Sequence, residues 1–400
     1  MAQQFSPAEW QQINAHLDAN PAGYGMPERR AGSVVIASWN IRKFGALADQ
    51  DGPKKSAGAF AMIERLCAAC DLVAIQEVQA DTASIEALRD RLNAGGGVYE
   101  ILYSDVTGRV PGYDGMSERF AFLYNTARVR RGEMASDLSY DRSAVVDRVN
   151  AAMAASIAKE LPPQDDPGFL EKAIQWISGT TRLAGARIKS FVQFIRAPHV
   201  AEFIIDGPGG AYEIYCVNAH LVSGESKRER SQEFFALLEW LLLDSPKTVV
   251  ERGKIYLLLA DLNLDFESSI DKRKRGIETY VTDLNAERGL DAKVNFPFLD
   301  RGYQTNARKD ETFDHIAWVA EDTRLPRGRH NDLAGTLGPD QFDFGMFDFS
   351  ALFVDAGPGK SPDGSPDYPR FEHDLSDHMP IWIRLPIPSD QQHRFHVGGG

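Results

Sequence analysis

The chain has 400 residues, of which 43% are hydrophobic, so it contains enough apolar material for the core of one large domain or two ordinary ones. Its formal net charge of -13 works against a general electrostatic attraction to DNA or to an acidic membrane, so any anionic partner must be bound through local groups. Three cysteines do not make a disulfide framework and no apolar run is long enough to cross a bilayer, which together predict a cytoplasmic protein without membrane contact.

The chain is expected to form one main domain with a short segment on either side of it. Residues 1–32 are polar and end in a stretch that contains Gly and Pro, which predicts a helical extension followed by a linker. The main domain is expected at residues 33–388 and a C-terminal tail at residues 389–400. Two stretches within the domain, near residues 141–189 and 268–295, are predicted to be insertions.

The main domain opens with the pattern of a β-α-β unit. Residues 34–39 and 71–76 are apolar and rich in strand-forming side chains, which is typical of buried strands. Between them, apolar residues recur at three-and-four spacing over residues 55–70 and indicate an amphipathic helix. Cys67 and Cys70 lie on the apolar face of this helix, so we interpret them as core residues and not as a zinc or redox pair.

Strands outnumber helices in the rest of the chain. Further strands are predicted at residues 99–104, 120–124, 200–205, 212–218, 254–260, 313–319 and 381–385, and helices at residues 82–92 and 229–243. The first insertion contains helix-like segments near residues 145–159 and 170–178, whereas the second is charged and is expected to loop over the surface. Many strands with few helices between them favour packed sheets with helices outside over a doubly wound parallel sheet.

Polar residues repeatedly lie at the ends of the predicted strands, where a sheet delivers side chains to its edge. Those that follow a strand are Asn40, Gln76, Glu77, Asn218, His220, Asp261 and Asn263. Asp314 and His315 lie inside the aromatic-flanked strand at residues 313–319, and Asp377 and His378 precede the last strand. Taken singly, an Asp or Asn after a strand is most simply a turn former, and a lone His is most simply a hydrogen-bonded structural group. Six such endings in one chain, with acidic groups and histidines among them, indicate a functional cluster instead.

The residue types in this cluster suit the hydrolysis of a phosphodiester. Glu77, Asn40 and Asp377 offer the carboxylate and amide oxygens that a hard cation such as Mg²⁺ prefers. Hydrolysis also requires an activated water, stabilised negative charge at phosphorus and a leaving oxygen that is easily expelled. Histidines oriented by carboxylates can transfer the protons, while Asn263 and an arginine can hold the phosphoryl oxygens.

Eight short motifs that contain these residues occur in a fixed order along the chain. They are Trp39-Asn40-Ile41-Arg42-Lys43-Phe44-Gly45, Ile75-Gln76-Glu77-Val78, Ser117-Glu118-Arg119-Phe120, Arg196-Ala197-Pro198, Asn218-Ala219-His220, Asp261-Leu262-Asn263, Thr312-Phe313-Asp314-His315-Ile316 and Ser376-Asp377-His378-Met379-Pro380. Each motif alone is weakly specific, but the ordered set, over residues 34–385, resembles the DNase I-like nucleases of the endonuclease/exonuclease/phosphatase superfamily.

The resemblance implies an α/β (α+β) fold, namely a four-layer α/β/β/α sandwich in which two central mixed β-sheets are flanked by helices. The active site would lie in a cleft at one edge of the sheets. The implied activity is a divalent-metal-dependent phosphodiester hydrolase acting on nucleic acid, with a DNA endonuclease favoured. Mg²⁺ is the expected cofactor, with Mn²⁺ as a substitute and Ca²⁺ as a candidate structural ion.

The resemblance also implies a role for each site residue, position by position. The implied metal ligands are Asn40, Glu77, Asp261 and Asp377, and the implied phosphate-binding residues are Arg196 and Asn263. The implied proton-transfer pairs are His220 with Glu118 and His378 with Asp314. From these roles we expect Asp261 to polarise the attacking water and one of the two histidines to assist the leaving group.

Two positions depart from the DNase I pattern and keep other substrates open. Gln79 stands where those enzymes carry an Arg that contacts the minor groove, and Met116 stands where they carry a Tyr. The alternatives are a phosphoesterase acting on a small phosphorylated molecule or a phospholipid headgroup, and a catalytically inactive binding module on the same fold. Basic residues 272–275 in the second insertion are a candidate nucleic-acid arm, although an exposed loop is the simpler interpretation.

Overall fold

The fold is taken from a computed structural model, and it is described for residues 4–45, 55–108, 117–138, 194–221, 227–252, 255–263, 269–289, 294–319 and 344–388. The chain divides into a larger unit of residues 1–138 and 195–400 and a smaller unit of residues 139–194. The helix-like segments expected near residues 145–159 and 170–178 lie outside the described residues. All elements described below belong to the larger unit.

The described strands form two six-stranded sheets. In chain order the strands are β1 (Ser33–Phe44), β2 (Leu72–Gln79), β3 (Tyr99–Tyr103), β4 (Glu118–Asn125), β5 (Arg130–Asp137), β6 (His199–Gly207), β7 (Gly210–His220), β8 (Ile255–Asp261), β9 (Val294–Asn295), β10 (Asp314–Val319), β11 (Phe344–Met346) and β12 (Ile381–Pro386). The first sheet has the order β11-β12-β1-β2-β4-β3, and the second has the order β5-β6-β7-β8-β10-β9. Both sheets are mixed, because β1 pairs with β2 and β7 pairs with β8 in parallel while the other neighbours are antiparallel.

Strand β1 is buried on both of its faces, which explains its almost uninterrupted apolar sequence. Val34 and Ile36 belong to the apolar cluster between the two sheets, whereas Val35, Ala37 and Trp39 belong to the cluster between the first sheet and its helices. The alternation follows from the two-residue period of a strand. A strand of this kind can be stable only in the middle of a layered structure.

Helices cover the outer faces of both sheets. The described α-helices are α1 (Pro7–Ala19), α2 (Ala57–Ala68), α3 (Ala83–Ala94), α4 (Lys227–Arg252), α5 (Ile270–Arg288), α6 (Pro297–Asp300), α7 (Phe349–Ala356) and α8 (Tyr368–Asp374). Buried residues of α1, α2, α3, α7 and α8 pack with the outer face of the first sheet. On the second sheet, Trp240 of α4 lies with its ring 6.1 Å from that of Tyr256 in β8, and Tyr280 of α5 contacts Phe235 of α4. The expected four-layer α/β/β/α sandwich is confirmed.

The N-terminal helix α1 is an integral part of this core. Ser6 begins it with a capping box, in which the Ser6 hydroxyl accepts a hydrogen bond from the Glu9 amide and the Glu9 carboxylate accepts one from the Ser6 amide. Trp10, Ile13 and Leu17 are buried at three-and-four spacing, which places one apolar face of the helix on the core. The predicted helical extension is therefore a packed element of the larger unit.

The second predicted insertion is a helix, so the expectation of a surface loop is wrong. Helix α5 begins after Ser269, whose hydroxyl accepts a hydrogen bond from the Lys272 amide, and ends at Gly289 in the left-handed conformation. Its apolar stripe is narrow, because Ile277 and Leu284 are buried one heptad apart among charged residues. A stripe this narrow gives a weak periodic signal in the sequence.

The predicted strands and helices outside the insertions are confirmed to within a few residues, except that β1 continues to Phe44 and α4 continues to Arg252. Strands β5, β9 and β11 and helices α6, α7 and α8 were not predicted. Strand β5 shows no apolar periodicity in the sequence, because it is an edge strand whose side chains are mostly polar and exposed. Among the described residues, no helix combines the length and apolar character that a membrane span requires.

The layered core makes a clear prediction about stability. Leu257 of β8 is fully buried between the sheets, so Leu257→Ala should lower the free energy of unfolding by about 2–5 kcal/mol through lost burial and the cavity left behind. Val98 is 49% exposed, and Val98→Ala should change the free energy by less than about 0.5 kcal/mol. Urea unfolding of both variants tests this expectation, and equal effects would contradict the layer assignment.

Candidate active site

The strand topology brings the predicted site residues to one edge of the two sheets. The parallel strands β1 and β2 end there, as do β7 and β8, and the antiparallel strands β4 and β10 begin there. In this register Asp261 lies opposite His220 on one side and opposite Asp314 on the other. Residues far apart in the sequence therefore form one cluster because the carboxyl ends of parallel strands share an edge.

Asp261 lies at the centre of the cluster and is 1% exposed. Its Oδ2 atom is 3.5 Å from Nε2 of His220 and 3.5 Å from Nε2 of His378. The same oxygen accepts a hydrogen bond of 3.0 Å from Asn40 Nδ2, and Oδ1 accepts one of 3.2 Å from the Asn263 amide. Burial raises the pKa of Asp261, but the two histidines and these donors outweigh it and lower the pKa below its ordinary value. The carboxylate is thus held in its ionised form.

His220 is oriented by a carboxylate on the side away from Asp261. Its Nδ1 lies 3.1 Å from Glu118 Oε2, and because an ionised carboxylate only accepts, Nδ1 carries the proton. Glu118 is also paired with the Arg196 guanidinium. Burial and Arg196 oppose protonation of His220, but Glu118 and Asp261 outweigh them and raise the pKa of the imidazole. The expected pairing of His220 with Glu118 is present in the geometry.

His378 has an equivalent arrangement on the other side of Asp261. Its Nδ1 lies 2.9 Å from Asp314 Oδ2. Burial alone would lower the pKa of His378, but the Asp314 and Asp261 carboxylates raise it well above its ordinary value. The Asp314 amide donates to Thr305 Oγ1 at 2.8 Å, and the His378 amide donates to Ser376 Oγ at 3.2 Å. Backbone contacts therefore fix both members of the pair.

The side chains of Gln76 and Asn218 lie beneath the cluster and join the two sheets. Gln76 Nε2 donates to Asn218 Oδ1 at 2.7 Å, and Asn218 Nδ2 donates to the carbonyl oxygens of Ile75 and Ala121 at 3.2 and 3.0 Å. Both amides are fully buried, so each of these bonds replaces lost contact with water. These two strand-end residues serve the framework that supports the cluster.

Glu77 lies beside the cluster with hard oxygen donors around it. Asn40 Nδ2 donates to Glu77 Oε1 at 3.1 Å, and the Lys43 amide donates to Glu77 Oε2 at 3.0 Å. The Asn40 NH₂ group donates to two carboxylates, so the Asn40 Oδ1 atom faces away from both of them. Among the described residues, this oxygen and Asp377 Oδ1 are buried and have no hydrogen-bond partner. Oxygen donors of this kind suit a divalent cation such as Mg²⁺.

The backbone around these donors is strained. Lys43, Glu77 and Asn263 adopt φ values of 50°, 58° and 49°, in the left-handed region that non-glycine residues rarely occupy. Lys43 and Glu77 lie where the pairing of their strands becomes irregular, between Asn40 and Phe44 and between Ile75 and Val78, and Asn263 lies just after the end of β8. Strain of this kind, about 1–3 kcal/mol per residue, clusters at functional sites because the surrounding structure holds the side chains in place.

Asp261, Asp314 and His378 offer a second group of donor atoms, which lie within 4.8 Å of one another. This group could also hold a metal ion. Here, however, the His378 ring nitrogens already face the two carboxylates, with Nδ1 2.9 Å from Asp314 and Nε2 3.5 Å from Asp261. An imidazolium carries a proton on each nitrogen and so presents a donor to each carboxylate. We therefore interpret this group as a protonated histidine between two carboxylates.

The remaining predicted residues lie at the margin of the cluster. Arg196 is 9% exposed and pairs with Glu118, and its Nη1 donates to the Leu221 carbonyl at 3.4 Å. Asn263 Nδ2 donates to the same carbonyl at 3.0 Å. Asp377 faces Arg42, with 3.8 Å between Oδ2 and Nε. Their predicted roles toward phosphate and metal stay predictions.

The basic residues 272–275 are partly occupied by contacts within the protein. Arg273 is buried and pairs with Glu311 at 3.1 Å, and Lys274 Nζ donates to the Asp300 carbonyl at 2.9 Å. These two side chains therefore help to fasten α5 to the domain, which weakens the interpretation of the cluster as a nucleic-acid arm.

Sequence reasoning missed the buried lysine at position 55. Lys55 Nζ donates to the Leu375 carbonyl at 2.5 Å. Burial lowers the pKa of Lys55 to about 8, although the nearby carboxylates of Asp377, Asp374 and Glu77 act in the opposite direction. No motif marks this lysine, because it precedes a helix and its contact is with a backbone carbonyl 320 residues away.

No protein-family model matches the chain. A deoxyribonuclease from Thioalkalivibrio sp. (strain K90mix) is 34% identical to it over 105 residues, which are 26% of this chain and 26% of that protein. The match thus spans about a quarter of the relative's length.

Solved structures with a similar course of the chain come from several organisms. The human Nocturnin catalytic domain with bound sulfate is 12% identical to this chain, with a TM-score of 0.45. The similarity covers 90% of this chain and 96% of the Nocturnin chain. D. rerio TDP2 complexed with a single-strand DNA product is 14% identical over 89% of this chain and 99% of its own, also with a TM-score of 0.45. An endonuclease/exonuclease/phosphatase family protein from Bacteroides thetaiotaomicron is 12% identical over 88% of this chain and 97% of that protein's chain, with a TM-score of 0.43.

Removing the partner of His378 should change how stability depends on pH. In metal-free protein, the raised pKa of His378 means that the folded state binds this proton more tightly than the unfolded state. The resulting stability is fully present below the ordinary histidine pKa of about 6.5 and is lost as pH rises through the higher folded-state value. We expect the free energy of unfolding to fall less steeply above pH ~6.5 in Asp314→Asn than in wild type. Urea unfolding with chelator at several pH values measures both slopes, and identical slopes would contradict the pairing.

Proposed function

We propose that this chain is a divalent-metal-dependent phosphodiester hydrolase of the endonuclease/exonuclease/phosphatase superfamily, and that it is a DNA endonuclease. One observation carries the proposal: Asp261 Oδ2 lies 3.5 Å from Nε2 of both His220 and His378. Each histidine is oriented on its other side by a separate carboxylate. Neither turn formation nor a structural histidine requires this arrangement, whereas a reaction with proton transfer on two sides of phosphorus does.

Asp261 is the group best suited to act on the attacking water. Its pKa is lowered, so at neutral pH the carboxylate is ionised and can accept a hydrogen bond from water. Asn40 and the Asn263 amide fix the carboxylate from two directions, at 3.0 and 3.2 Å. A fixed acceptor favours one orientation of the water relative to phosphorus, which lowers the barrier to attack.

The two histidines are suited to donate hydrogen bonds and protons. Because their pKa values are raised, each holds a proton on Nε2 over a wider pH range than an ordinary histidine. We assign one of them to the leaving oxygen and the other to a phosphoryl oxygen, whose charge grows in the transition state. Arg196 and Asn263, beside the His220 pair, are proposed to contact substrate phosphate.

The predicted cation would be held by Glu77, Asn40 Oδ1 and Asp377. The buried and unpartnered Asn40 Oδ1 and Asp377 Oδ1 atoms fit such an ion, and carboxylate and amide oxygens are the donors that Mg²⁺ and Mn²⁺ prefer. When bound, the cation would supply positive charge that offsets the negative charge developing on the phosphoryl group. We assign Asp261 mainly to the water, because its oxygens already accept bonds from Asn40 and Asn263.

Two partly exposed arginines near the cluster are candidate contacts for a nucleic-acid substrate. The side chains of Arg42 and Arg308 are 36% and 51% exposed, and their charges are balanced by the neighbouring carboxylates of Glu372 and Asp377. Arginines at the margin of a site can contact phosphates beyond the one that is cleaved. The motif order shared with DNase I-like enzymes and the partial similarity to a deoxyribonuclease favour DNA.

Cleavage assays test the proposal directly. We expect purified protein to cleave supercoiled plasmid with Mg²⁺ or Mn²⁺, and chelator to abolish cleavage because the negative charge at phosphorus is then not offset. His220→Ala and His378→Ala should each lower the rate by roughly 10²–10⁴-fold, as expected for loss of a general acid or base. Single-stranded DNA and RNA are assayed in parallel to rank the substrates.

A surface histidine variant controls for the removal of a histidine as such. His16 lies on an exposed position of α1, so His16→Ala should keep the wild-type rate. Full activity of both site variants would contradict the site assignment. Absence of cleavage of every nucleic acid would reject the nuclease and favour a small phosphorylated molecule or a phospholipid headgroup as substrate.

The identity of the histidine that serves the leaving oxygen can be measured with an activated ester. A p-nitrophenyl leaving group needs little protonation, so the variant that lacks the leaving-group acid should lose much less activity on bis(p-nitrophenyl) phosphate than on DNA. The other histidine variant should lose about the same factor on both substrates. The kcat of His220→Ala and His378→Ala on each substrate decides the assignment, and equal losses throughout would contradict the division of roles.

A further inference from the structure

We propose that helix α1 positions the active site through Asp374, which connects it to the segment that carries His378. This inference rests on the proposed function for its effect on turnover, whereas the coupling between the two segments can be measured without it. In this scheme Asp374 and Trp10 are positioning residues. Among the described residues, their side-chain hydrogen bonds are with Phe5, Ser56 and each other, and not with the cluster around Asp261 or the oxygen donors beside Glu77.

Asp374 is a fully buried carboxylate that accepts hydrogen bonds from the N-terminal region. Its Oδ2 accepts hydrogen bonds from the Phe5 amide at 2.9 Å and from Trp10 Nε1 at 3.2 Å. Its Oδ1 lies 3.4 Å from the Ser56 amide, and the Ser56 hydroxyl also accepts from Trp10 Nε1 at 3.1 Å. A buried charge requires such partners, so removing one of them perturbs Asp374 itself.

Helix α8, which ends at Asp374, is fastened to the N-terminal region along its length. Arg370 pairs with Glu9 at 2.7 Å and donates to the Gln4 carbonyl at 3.2 Å. The Arg370 guanidinium also lies over the Phe5 ring, 4.1 Å from its centre. Side chain, backbone and ring contacts thus fix α8 against α1, so a shift of α1 would be transmitted to α8.

The end of α8 leads directly into the catalytic segment. Leu375 follows Asp374, and its carbonyl accepts the hydrogen bond from buried Lys55. Ser376 is next, and its hydroxyl donates to the Asn40 carbonyl at 2.7 Å and accepts from the His378 amide at 3.2 Å. Only three residues separate Asp374 from His378, so the position of one restricts the position of the other.

The Trp10 side chain packs closely against its neighbours. A Cβ atom at Gly58 of α2 would lie 2.1 Å from Cγ of Trp10, so the indole ring lies directly on the glycine backbone. The same ring packs edge-on against Phe353 of α7, with 5.5 Å between the ring centres. Apolar packing therefore fixes the position of the indole, and its Nε1 atom donates to Asp374 from that position.

The test compares two substitutions in α1 that differ in their relation to Asp374. Trp10→Phe keeps an aromatic ring but removes the Nε1 donor to Asp374 and Ser56. Leu17→Ala removes a fully buried side chain at the other end of the same helix, where it does not contact Asp374. Glu9→Gln is a milder third variant, since it weakens the pair with Arg370 but retains the capping box.

The first readout is amide hydrogen exchange of the full-length protein, resolved to the peptide covering residues 374–379. We expect exchange in this peptide to be faster in Trp10→Phe, and faster to a smaller extent in Glu9→Gln, than in wild type. Leu17→Ala should leave this peptide unchanged even though it lowers the thermal midpoint. Wild-type exchange in both Trp10→Phe and Glu9→Gln would overturn the inference.

The second readout is the kinetics of phosphodiester cleavage at a temperature where every variant is folded. Trp10→Phe should lower kcat by roughly tenfold with KM changed less than about twofold, because misplaced catalytic groups raise the barrier without removing substrate contacts. Leu17→Ala should retain the wild-type kcat. If wild-type protein cleaves no phosphodiester, the proposed function fails. The amide hydrogen exchange of residues 374–379 then tests the coupling between α1 and α8 without it. A Trp10→Phe variant with normal kcat in an active wild-type background would reject the positioning role.

Discussion

The hydrogen bond between Asn40 and Asp261 is the contact on which the rest of the site depends, because it joins the two sheets at their shared edge. The regular pairing of β1 with β2 in the first sheet stops at Asn40, and Asp261 ends β8 in the second sheet. The distance from Asn40 Nδ2 to Asp261 Oδ2 is 3.0 Å. The same NH₂ group reaches Glu77, so one amide fixes the separation between the predicted metal side and the proton-transfer side. Buried carboxylates tolerate such proximity only when donors surround them, and the two histidines supply the remaining donors.

The layered architecture explains why these polar groups can be buried at all. Each sheet contains one parallel pair, and the ends of the two pairs meet where the apolar cluster between the sheets stops. The buried side-chain amides of Gln76 and Asn218 lie at the end of that apolar cluster and form hydrogen bonds there. The charged residues of the site lie next to these two amides. Glu77 in β2 and Asn263 just after β8 both have a left-handed backbone, at an energetic cost that the surrounding contacts offset.

Much of the architecture and of the charged cluster could be predicted from the sequence, because both leave local signals. Buried strands give continuous apolar runs, and polar residues at strand ends mark the edge where the candidate site lies. Contacts between distant positions leave no such signal, so the hydroxyl of Thr305 beneath Asp314 and the ties between α1 and Asp374 could not be found this way. Helix α5 was missed for another reason, since its narrow apolar stripe lies within a charged sequence.

We infer that the cation and the transferred protons occupy different sides of Asn40. Calorimetric titration of Mn²⁺ into Glu77→Gln and Asp314→Asn separates the two sides, because each variant replaces one carboxylate with an amide of the same shape on one side only. A cation held by Glu77 and Asn40 predicts that Glu77→Gln weakens Mn²⁺ binding by more than about tenfold, while Asp314→Asn changes it by less than about threefold. The reverse pattern would place the cation among Asp261, Asp314 and His378 and would contradict the account.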